Sequence, residues 1–292
     1  MKSFEGIFTA LITPFFDGEV DFESLERLVK FQVDGGVKGF VVNGTTAESP
    51  NLSEEEVKEI FLRVRKLVGD SFPLIVGTGS NSTSKTIQFT KKAEEWGADA
   101  ALVVVPYYNK PTQEGLCLHF EAVAKETQLP IILYNVPGRT ITELKPETLI
   151  KLQELKNIIG IKEASGNLEY IKWALPKVKE NFLFTSGDDA TSMEFISCGG
   201  RGVISVASHV YPRDFVSLSE RAINHFDEVK KEYKKYDRLN ELLFVEPNPT
   251  PVKQALQEMG VIRSAECRLP LTKMSQDNAK LLKAELGTLG IL

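Results

Sequence analysis

A lone lysine closes one of the apolar stretches of the sequence. In NIIGIKEASGN, residues 157–167, apolar and β-branched residues precede Lys162, and Glu163 and a small polar turn follow it. Removal from water disfavours the charged form of a lysine, and a neutral amine can attack a carbonyl carbon to form a Schiff base. Such an imine draws electrons from a carbon–carbon bond that forms or breaks. More often, a lysine at a strand end is solvated or ion-paired, here with Glu163, so both interpretations stay open.

Tyrosine hydroxyls could supply the proton transfers that this chemistry needs. Tyr134 ends the preceding apolar run, PIILYNVP, so its side chain could point into the same pocket as Lys162. The alternative is a core aromatic whose hydroxyl bonds to a backbone carbonyl. Tyr107 and Tyr108 present the same choice, and at most one of them can face the pocket because neighbouring strand residues face opposite sides.

Two further segments suit the carboxylate of a substrate. NGTTAES, residues 43–49, offers the hydroxyls of Thr45 and Thr46 and several backbone N–H groups where a strand leads into a helix. An ordinary turn with hydroxyl caps is an equally good explanation. Arg139, in VPGRT, carries a guanidinium fork that matches a carboxylate, although a solvated loop arginine is the plain alternative.

Eight short apolar runs, most followed by a charged stretch of helical period, must position these side chains. They are FTALITPF, KGFVVNG, PLIVGTG, ALVVVPYY, PIILYNVP, IIGIKEAS, FLFTSGDD and GVISVAS. Nearly continuous apolar runs are typical of parallel strands covered on both faces. Even spacing, and the absence of a strand leading into GxGxxG, favour a closed (β/α)8 TIM barrel over an open doubly wound sheet. A barrel places catalysis at the carboxyl ends of its strands, where all the residues above would lie.

The helices have recognisable ends, and the last part of the chain is helical only. Ser53 and Glu56 have the spacing of a capping box, and Gly35, Gly36 and Gly69 are expected to end two helices. We therefore predict a catalytic barrel over residues 1–225 and a C-terminal helical extension, or lobe, over 226–292.

Composition excludes several classes of partner. The 292 residues carry a net charge of −5 with no long run of either sign, which argues against nucleic acid and membrane surfaces. No apolar stretch has the ~20 residues of a membrane helix, and charges interrupt the N-terminal one. Three unpaired cysteines favour a reducing cytoplasm. The three histidines are scattered and GTGSNS lacks the P-loop ending, so we expect no metal and no cofactor.

Seven motifs, in order along the chain, resemble the 4-hydroxy-tetrahydrodipicolinate synthase (dihydrodipicolinate synthase) family of class I pyruvate-dependent aldolases. They are GTTAES, PYYNKPTQEG, YNVPGRT, IIGIKEASGN, SGDDA, GVISVAS and LFVEPNPTPVK, and the resemblance extends from about Gly6 to Leu292. It implies a Schiff-base lyase that condenses pyruvate with L-aspartate 4-semialdehyde to 4-hydroxy-tetrahydrodipicolinate, in diaminopimelate and lysine biosynthesis.

The resemblance also implies roles for individual residues. Lys162 would form the imine, while Tyr134, Thr45 and Tyr108 would relay protons. The remaining substrate-binding positions would be Thr46 beside Thr45 for pyruvate, Arg139 for the semialdehyde, and Gly187 and Ile204 as pocket lining. Tyr108 would reach the site of a neighbouring subunit, so we expect a homodimer or homotetramer.

Other functions share the barrel and the lysine. N-acetylneuraminate lyase and 2-keto-3-deoxy-sugar-acid aldolases are the main alternatives, but the neuraminate enzymes typically show Ser-Thr where this chain has Thr45-Thr46. Arg139 would be left as an unpaired cation by a second substrate without a carboxylate. A catalytically inactive scaffold is disfavoured by the intact set of functional groups.

Two departures from the family pattern concern backbone and regulation. Ala47 stands where many members have glycine, which removes no functional group. Lys85 and Glu54 stand where lysine-inhibited relatives have a glutamate and a histidine, although Ser49, Asn81 and Tyr107 remain. A cation at position 85 should repel the ammonium of lysine, so we predict weak or absent feedback inhibition.

Overall fold

Eight parallel strands close into a barrel in the computed structural model, which describes residues 2–292. The strands β1 to β8 are Gly6–Ala10, Gly39–Val42, Leu74–Gly77, Ala100–Val104, Ile131–Asn135, Ile158–Glu163, Leu183–Ser186 and Gly202–Ser205. Each strand pairs with its neighbour in the sequence, and β1 closes the ring by pairing in parallel with β8. The predicted fold is confirmed, and each strand lies within or at the edge of a predicted apolar run.

Thirteen α-helices accompany the strands within the described residues. Helices α1 to α9 are Phe22–Asp34, Glu54–Val68, Thr83–Glu95, Gln113–Lys125, Pro137–Thr140, Pro146–Leu152, Leu168–Ala174, Ser192–Ser197 and Pro212–Ala222, and α10 to α13 are Phe226–Tyr233, Asp237–Leu242, Thr250–Glu258 and Gln276–Thr288. The predicted capping box of Ser53 and Glu56 opens α2, and Gly35 and Gly69 follow the ends of α1 and α2 as expected.

One small element was not predicted. The first apolar run continues past Ala10, but β1 ends there, and a two-stranded antiparallel hairpin pairs Phe15–Phe16 with Glu19–Val20. The turn between them contains Asp17 and Gly18, both at positive φ. Arg268 donates to the carbonyl of Gly18 through Nε at 3.1 Å and Nη2 at 2.8 Å, so the C-terminal part of the chain holds this hairpin.

The apolar core has two layers, one inside the barrel and one between the strands and the helices. The inner layer is a compact cluster that includes Phe8, Val41, Ile132 and Ile204, with Tyr134 at its carboxyl-terminal end. The outer layer contains most of the remaining buried aliphatic side chains and extends into α10–α13. Among residues 2–292, no helix is long and apolar enough to cross a membrane.

Candidate active site

Lys162 and Tyr134 lie side by side at the carboxyl end of the barrel. They are register partners in the ladder of β5 and β6, and Nζ of Lys162 is 4.4 Å from the centroid of the Tyr134 ring. The exposed fractions of the two residues are only 6% and 7%. An amine and a phenol are thus held together in a place with little access to water.

Space beside the lysine depends on a glycine. A Cβ atom built on Gly187, which follows β7, would lie 2.5 Å from Cε of Lys162 and 2.7 Å from Cβ of Ala164. Any side chain there would therefore displace the lysine. Ile204, buried on β8, belongs to the same inner cluster as Tyr134. Gly187 thus lies against the lysine, and Ile204 lies in the apolar cluster that Tyr134 joins.

Glu163 faces away from Lys162 and is not its ion-pair partner. Adjacent strand residues face opposite sides, and the Glu163 carboxylate accepts hydrogen bonds from Asn135 Nδ2 at 2.7 Å and from the Ser165 N–H at 2.7 Å. Burial raises the pKa of this carboxyl, while the hydrogen bonds from Ser165 and Asn135 act in the opposite direction. Asn135 Oδ1 in turn accepts from the N–H of Leu144 at 2.9 Å.

This pair of residues was missed by the sequence analysis. Asn135 and Glu163 immediately follow Tyr134 and Lys162. The hydrogen bond between them joins the two strand ends, and the bond from Leu144 to Asn135 attaches the segment that follows Arg139. A signal was present, since Asn135 and Glu163 each place a second polar side chain beside a candidate residue, on the opposite face of a strand whose earlier residues are apolar.

The Thr45–Thr46 segment forms a short 3₁₀ turn, Thr45–Ala47, two residues after the end of β2. The hydroxyl of Thr13 donates to the carbonyl of Ala47 at 2.9 Å, which ties the turn to the end of β1. Thr46 is buried and Thr45 half-buried. Asn248, which belongs to the LFVEPNPTPVK motif, donates from Nδ2 to Oγ1 of Thr46 at 3.0 Å.

The other predicted residues lie at the surface. Tyr108 is 87% exposed with a left-handed φ of +75°, and Tyr107 is 39% exposed. Arg139 lies on the exposed side of α5, and no carboxylate of the described residues is within ion-pair distance of it. The structure therefore brings Lys162 and Tyr134 into contact and leaves the side chains of Tyr108 and Arg139 exposed.

Asp188 and Asp189 have different structural roles, which their adjacent positions in the sequence do not distinguish. Asp188 Oδ2 accepts from the backbone N–H and the hydroxyl of Thr191, which stabilises the turn before α8. Asp189 is buried, and its Oδ2 accepts from the N–H groups of Val206 and Ala207 at 2.9 and 2.8 Å, which fixes the chain after β8. Burial raises the pKa of the Asp189 carboxyl to about 6 against the effect of these hydrogen bonds.

The arrangement suits covalent chemistry on a small keto acid. An amine capable of forming an imine contacts a phenol capable of moving protons, and a turn with two hydroxyl groups lies on the same face of the barrel. Within residues 2–292, no group of three or more His, Cys, Asp or Glu side chains is arranged to hold a metal ion.

Similarity to known proteins agrees with this chemistry. A model of the Dihydrodipicolinate synthetase family matches residues 3–289. The 4-hydroxy-tetrahydrodipicolinate synthase of Bdellovibrio bacteriovorus is 52% identical over 296 residues, covering 100% of both chains. The dihydrodipicolinate synthase of Acinetobacter baumannii, solved in complex with pyruvate, has a TM-score of 0.96 and 41% identity, covering 99% of this chain and 100% of its own. The enzyme of Cyanidioschyzon merolae, solved with lysine bound, has a TM-score of 0.95 and 40% identity, covering 99% of each chain.

Proposed function

Because the chain belongs to the dihydrodipicolinate synthetase family, we propose that it condenses pyruvate with L-aspartate 4-semialdehyde to give 4-hydroxy-tetrahydrodipicolinate. The observation that carries the proposal is the burial of the Lys162 amine against the Tyr134 ring. The pyruvate complex of the Acinetobacter baumannii relative supports the keto acid as the first substrate. The reaction is that of a class I aldolase-type lyase in diaminopimelate and lysine biosynthesis.

The proposed reaction proceeds through covalent intermediates on Lys162. The neutral amine attacks C2 of pyruvate, and loss of water gives an imine. Removal of a proton from C3 gives an enamine, whose C3 forms a bond to the aldehyde carbon of the semialdehyde while the aldehyde oxygen takes up a proton. The amino group of the second substrate then attacks the imine carbon, and Lys162 leaves as a free amine when the ring has closed.

The remaining residues bind substrates and move protons in this proposal. Tyr134 and Thr45 carry protons to and from the adduct, and Thr45 and Thr46 donate to the carboxylate of pyruvate. Arg139 has no carboxylate partner among residues 2–292, which leaves its guanidinium available for the carboxylate of the semialdehyde. Gly187 and Ile204 line the pyruvate pocket.

Tyr108 completes the relay from a second subunit in this proposal. The exposure of 87% and the left-handed conformation of this tyrosine support its insertion into a neighbouring molecule. A homodimer would therefore be the smallest active unit, and a homotetramer is the expected assembly. The three free cysteines support a location in a reducing cytoplasm.

Borohydride reduction in the presence of pyruvate tests the covalent step. We expect the peptide that contains Lys162 to gain the mass of a 1-carboxyethyl group, whereas the peptide with the buried Lys253 stays unmodified. Protein that stays unmodified throughout would contradict the proposal and favour an inactive scaffold.

The identity of the second substrate needs a separate measurement. We expect a coupled assay to show turnover with aspartate semialdehyde and little with sugar-acid aldehydes. The Arg139→Ala variant should raise the KM for the semialdehyde and leave trapping of pyruvate unchanged. Preference for a sugar-acid aldehyde would instead identify a neuraminate lyase or a 2-keto-3-deoxy-sugar-acid aldolase.

A further inference from the structure

Asn248 connects the C-terminal helical part of the chain to the turn that carries Thr46. It immediately precedes Pro249 and α12, and it is only 6% exposed. Its Nδ2 lies 3.0 Å from Oγ1 of Thr46, which is itself 3% exposed. The two residues are separated by 202 positions in the sequence, so the fold alone brings them together.

The direction of this hydrogen bond determines what the threonine can offer. An amide nitrogen donates and does not accept, so Oγ1 of Thr46 is the acceptor. The hydroxyl has a single proton, and among residues 2–292 the bond from Asn248 is the one hydrogen bond of Oγ1, so this proton is not donated to any group of the described chain. A carboxylate has only acceptor oxygens and would complete the hydrogen bonding of the hydroxyl.

We propose that Asn248 is a positioning residue for pyruvate, which acts by orienting the Thr46 hydroxyl as a donor to the substrate carboxylate. The inference rests on the proposed role of Thr46 and assigns a function to a residue outside the barrel. The amide contacts Thr46 and acts on the substrate through it.

The contacts that hold the helical part against the Thr45–Ala47 turn make Asn248 suited to this role. Lys253, on α12, forms a fully buried ion pair with Glu48, which directly follows the Thr45–Ala47 turn. The backbone N–H of Arg268 also donates to Oε2 of Glu48, at 2.9 Å. The helical part thus holds the turn at two points, Thr46 and Glu48, and this fixes the distance between the amide and the hydroxyl.

The amide oxygen of Asn248 makes substitution of this residue by aspartate an informative test. Oδ1 of Asn248 is buried and has no hydrogen-bond partner in the described part of the chain. An aspartate would have the same shape, but it would accept the Thr46 proton and place a negative charge next to the substrate carboxylate. Asn248→Asp should therefore impair pyruvate binding more than Asn248→Ala.

The experiment measures the KM for each substrate and the pyruvate dependence of borohydride trapping. We expect Asn248→Ala to raise roughly tenfold both the KM for pyruvate and the pyruvate concentration that gives half-maximal trapping. Asn248→Asp should raise both further, on the order of 100-fold, and the KM for the semialdehyde should stay nearly unchanged. Asn240→Ala is the matched control, because Asn240 is a buried asparagine of the same part that bonds Tyr211 and Tyr233. It should lower thermal stability and leave the pyruvate KM unchanged.

Variants of Thr46 separate failure of this inference from failure of the proposed site. If Thr46→Val leaves the pyruvate KM unchanged, the proposed carboxylate site is wrong. If Thr46→Val raises it and neither Asn248 variant does, only the role of Asn248 is overturned. We expect Asn248→Ala to cause little further loss in the Thr46→Val background, and additive losses would contradict the inference. Should Asn248→Asp not fold, the Asn248→Ala and Thr46→Val cycle decides the question.

Discussion

Gly187 and Lys162 are so close that the absence of a side chain at one determines the position of the other. A Cβ atom at position 187 would lie 2.5 Å from Cε of Lys162, well inside the contact distance of two carbon atoms. Movement away from Lys162 is restricted, because the same atom would lie 2.7 Å from Cβ of Ala164. The lysine stem would have to move, and with it the amine above the Tyr134 ring.

The Gly187→Ala variant should therefore lose activity through misplacement of the amine. We expect kcat/KM for pyruvate to fall on the order of 100-fold, because small displacements of a reacting group are costly. Steady-state kinetics together with borohydride trapping measure the effect. Gly287→Ala, at a helix position where an added Cβ meets nothing within 4 Å, is the control and should behave as the wild type.

An unchanged trapping rate in Gly187→Ala would show that the lysine has room that the structure does not provide. Reduced trapping in Gly287→Ala would instead indicate a general effect of the substitution.

The barrel could be predicted from the sequence because the pattern that marks each strand lies within a few neighbouring residues. Nearly continuous apolar runs mark buried parallel strands, and the ends of those runs indicated Lys162, Tyr134 and the Thr45–Thr46 turn as candidates. The contact of Asn248 with Thr46 spans 202 positions, and no local spacing encodes it. The same holds for Glu48 and Lys253, whose types are usually exposed and which are buried here only as a pair.

The buried pair of Lys253 and Glu48 should be sensitive to removal of one partner. Both side chains have 0% relative exposure, and Lys253 also donates to the carbonyl of Glu266 at 2.8 Å. Lys253→Met leaves the Glu48 carboxylate buried without its cation, so we expect a loss of about 3–5 kcal/mol in the free energy of unfolding. Urea denaturation of the purified variant measures it.

Neutralising the remaining charge tests the cause of that loss. Glu48→Gln combined with Lys253→Met removes both charges and can keep the acceptor for the N–H of Arg268. We expect the double variant to regain most of the stability. If it is no more stable than Lys253→Met, lost packing rather than an uncompensated charge is responsible.

Feedback by lysine should be weak or absent in this chain. A cavity of about 360 Å³ is lined by Ser49, Glu54, Lys85, Lys92 and Tyr107 among others. Lys92 is paired with Glu54 at 2.5 Å, whereas Lys85 has no carboxylate partner within ion-pair distance among residues 2–292. A free ammonium in the cavity should repel the ammonium groups of lysine, so sub-millimolar lysine should leave the initial rate unchanged.

Charge reversal in the cavity should have the opposite effect. Lys85→Glu is expected to lower the lysine concentration that inhibits, while Lys91→Glu, at a residue that pairs with Glu126 outside the cavity, should not. Inhibition of the unaltered enzyme by sub-millimolar lysine would show the prediction wrong.

Two buried histidines should make the fold sensitive to mild acid. Burial lowers the pKa of His119 and of His209 to about 4, from an ordinary value of 6.5. The folded protein then binds fewer protons than the unfolded chain between these values, so stability is lost as the pH falls from 6.5 to 4. Asp189 acts in the opposite sense, because its raised pKa of about 6 makes the folded protein bind more protons as the pH falls. Glu163, whose pKa burial also raises, acts in the same sense as Asp189. The histidines of the unfolded chain take up protons first as the pH falls, because their ordinary pKa of 6.5 lies above the value of about 6 for Asp189, so we expect the net loss of stability between about pH 7 and 6.

Urea midpoints at about pH 7, 6 and 5 measure this dependence, and two variants assign it. Carboxyls with a lowered pKa, such as those of Asp21 and Asp214, act at more acid pH and leave this window clear. His119→Gln removes one of the two destabilising titrations, so it should flatten the slope. Asp189→Asn removes the opposing one and should steepen it, since an amide oxygen can still accept from Val206 and Ala207. A slope that neither substitution alters would place the acid sensitivity in other groups.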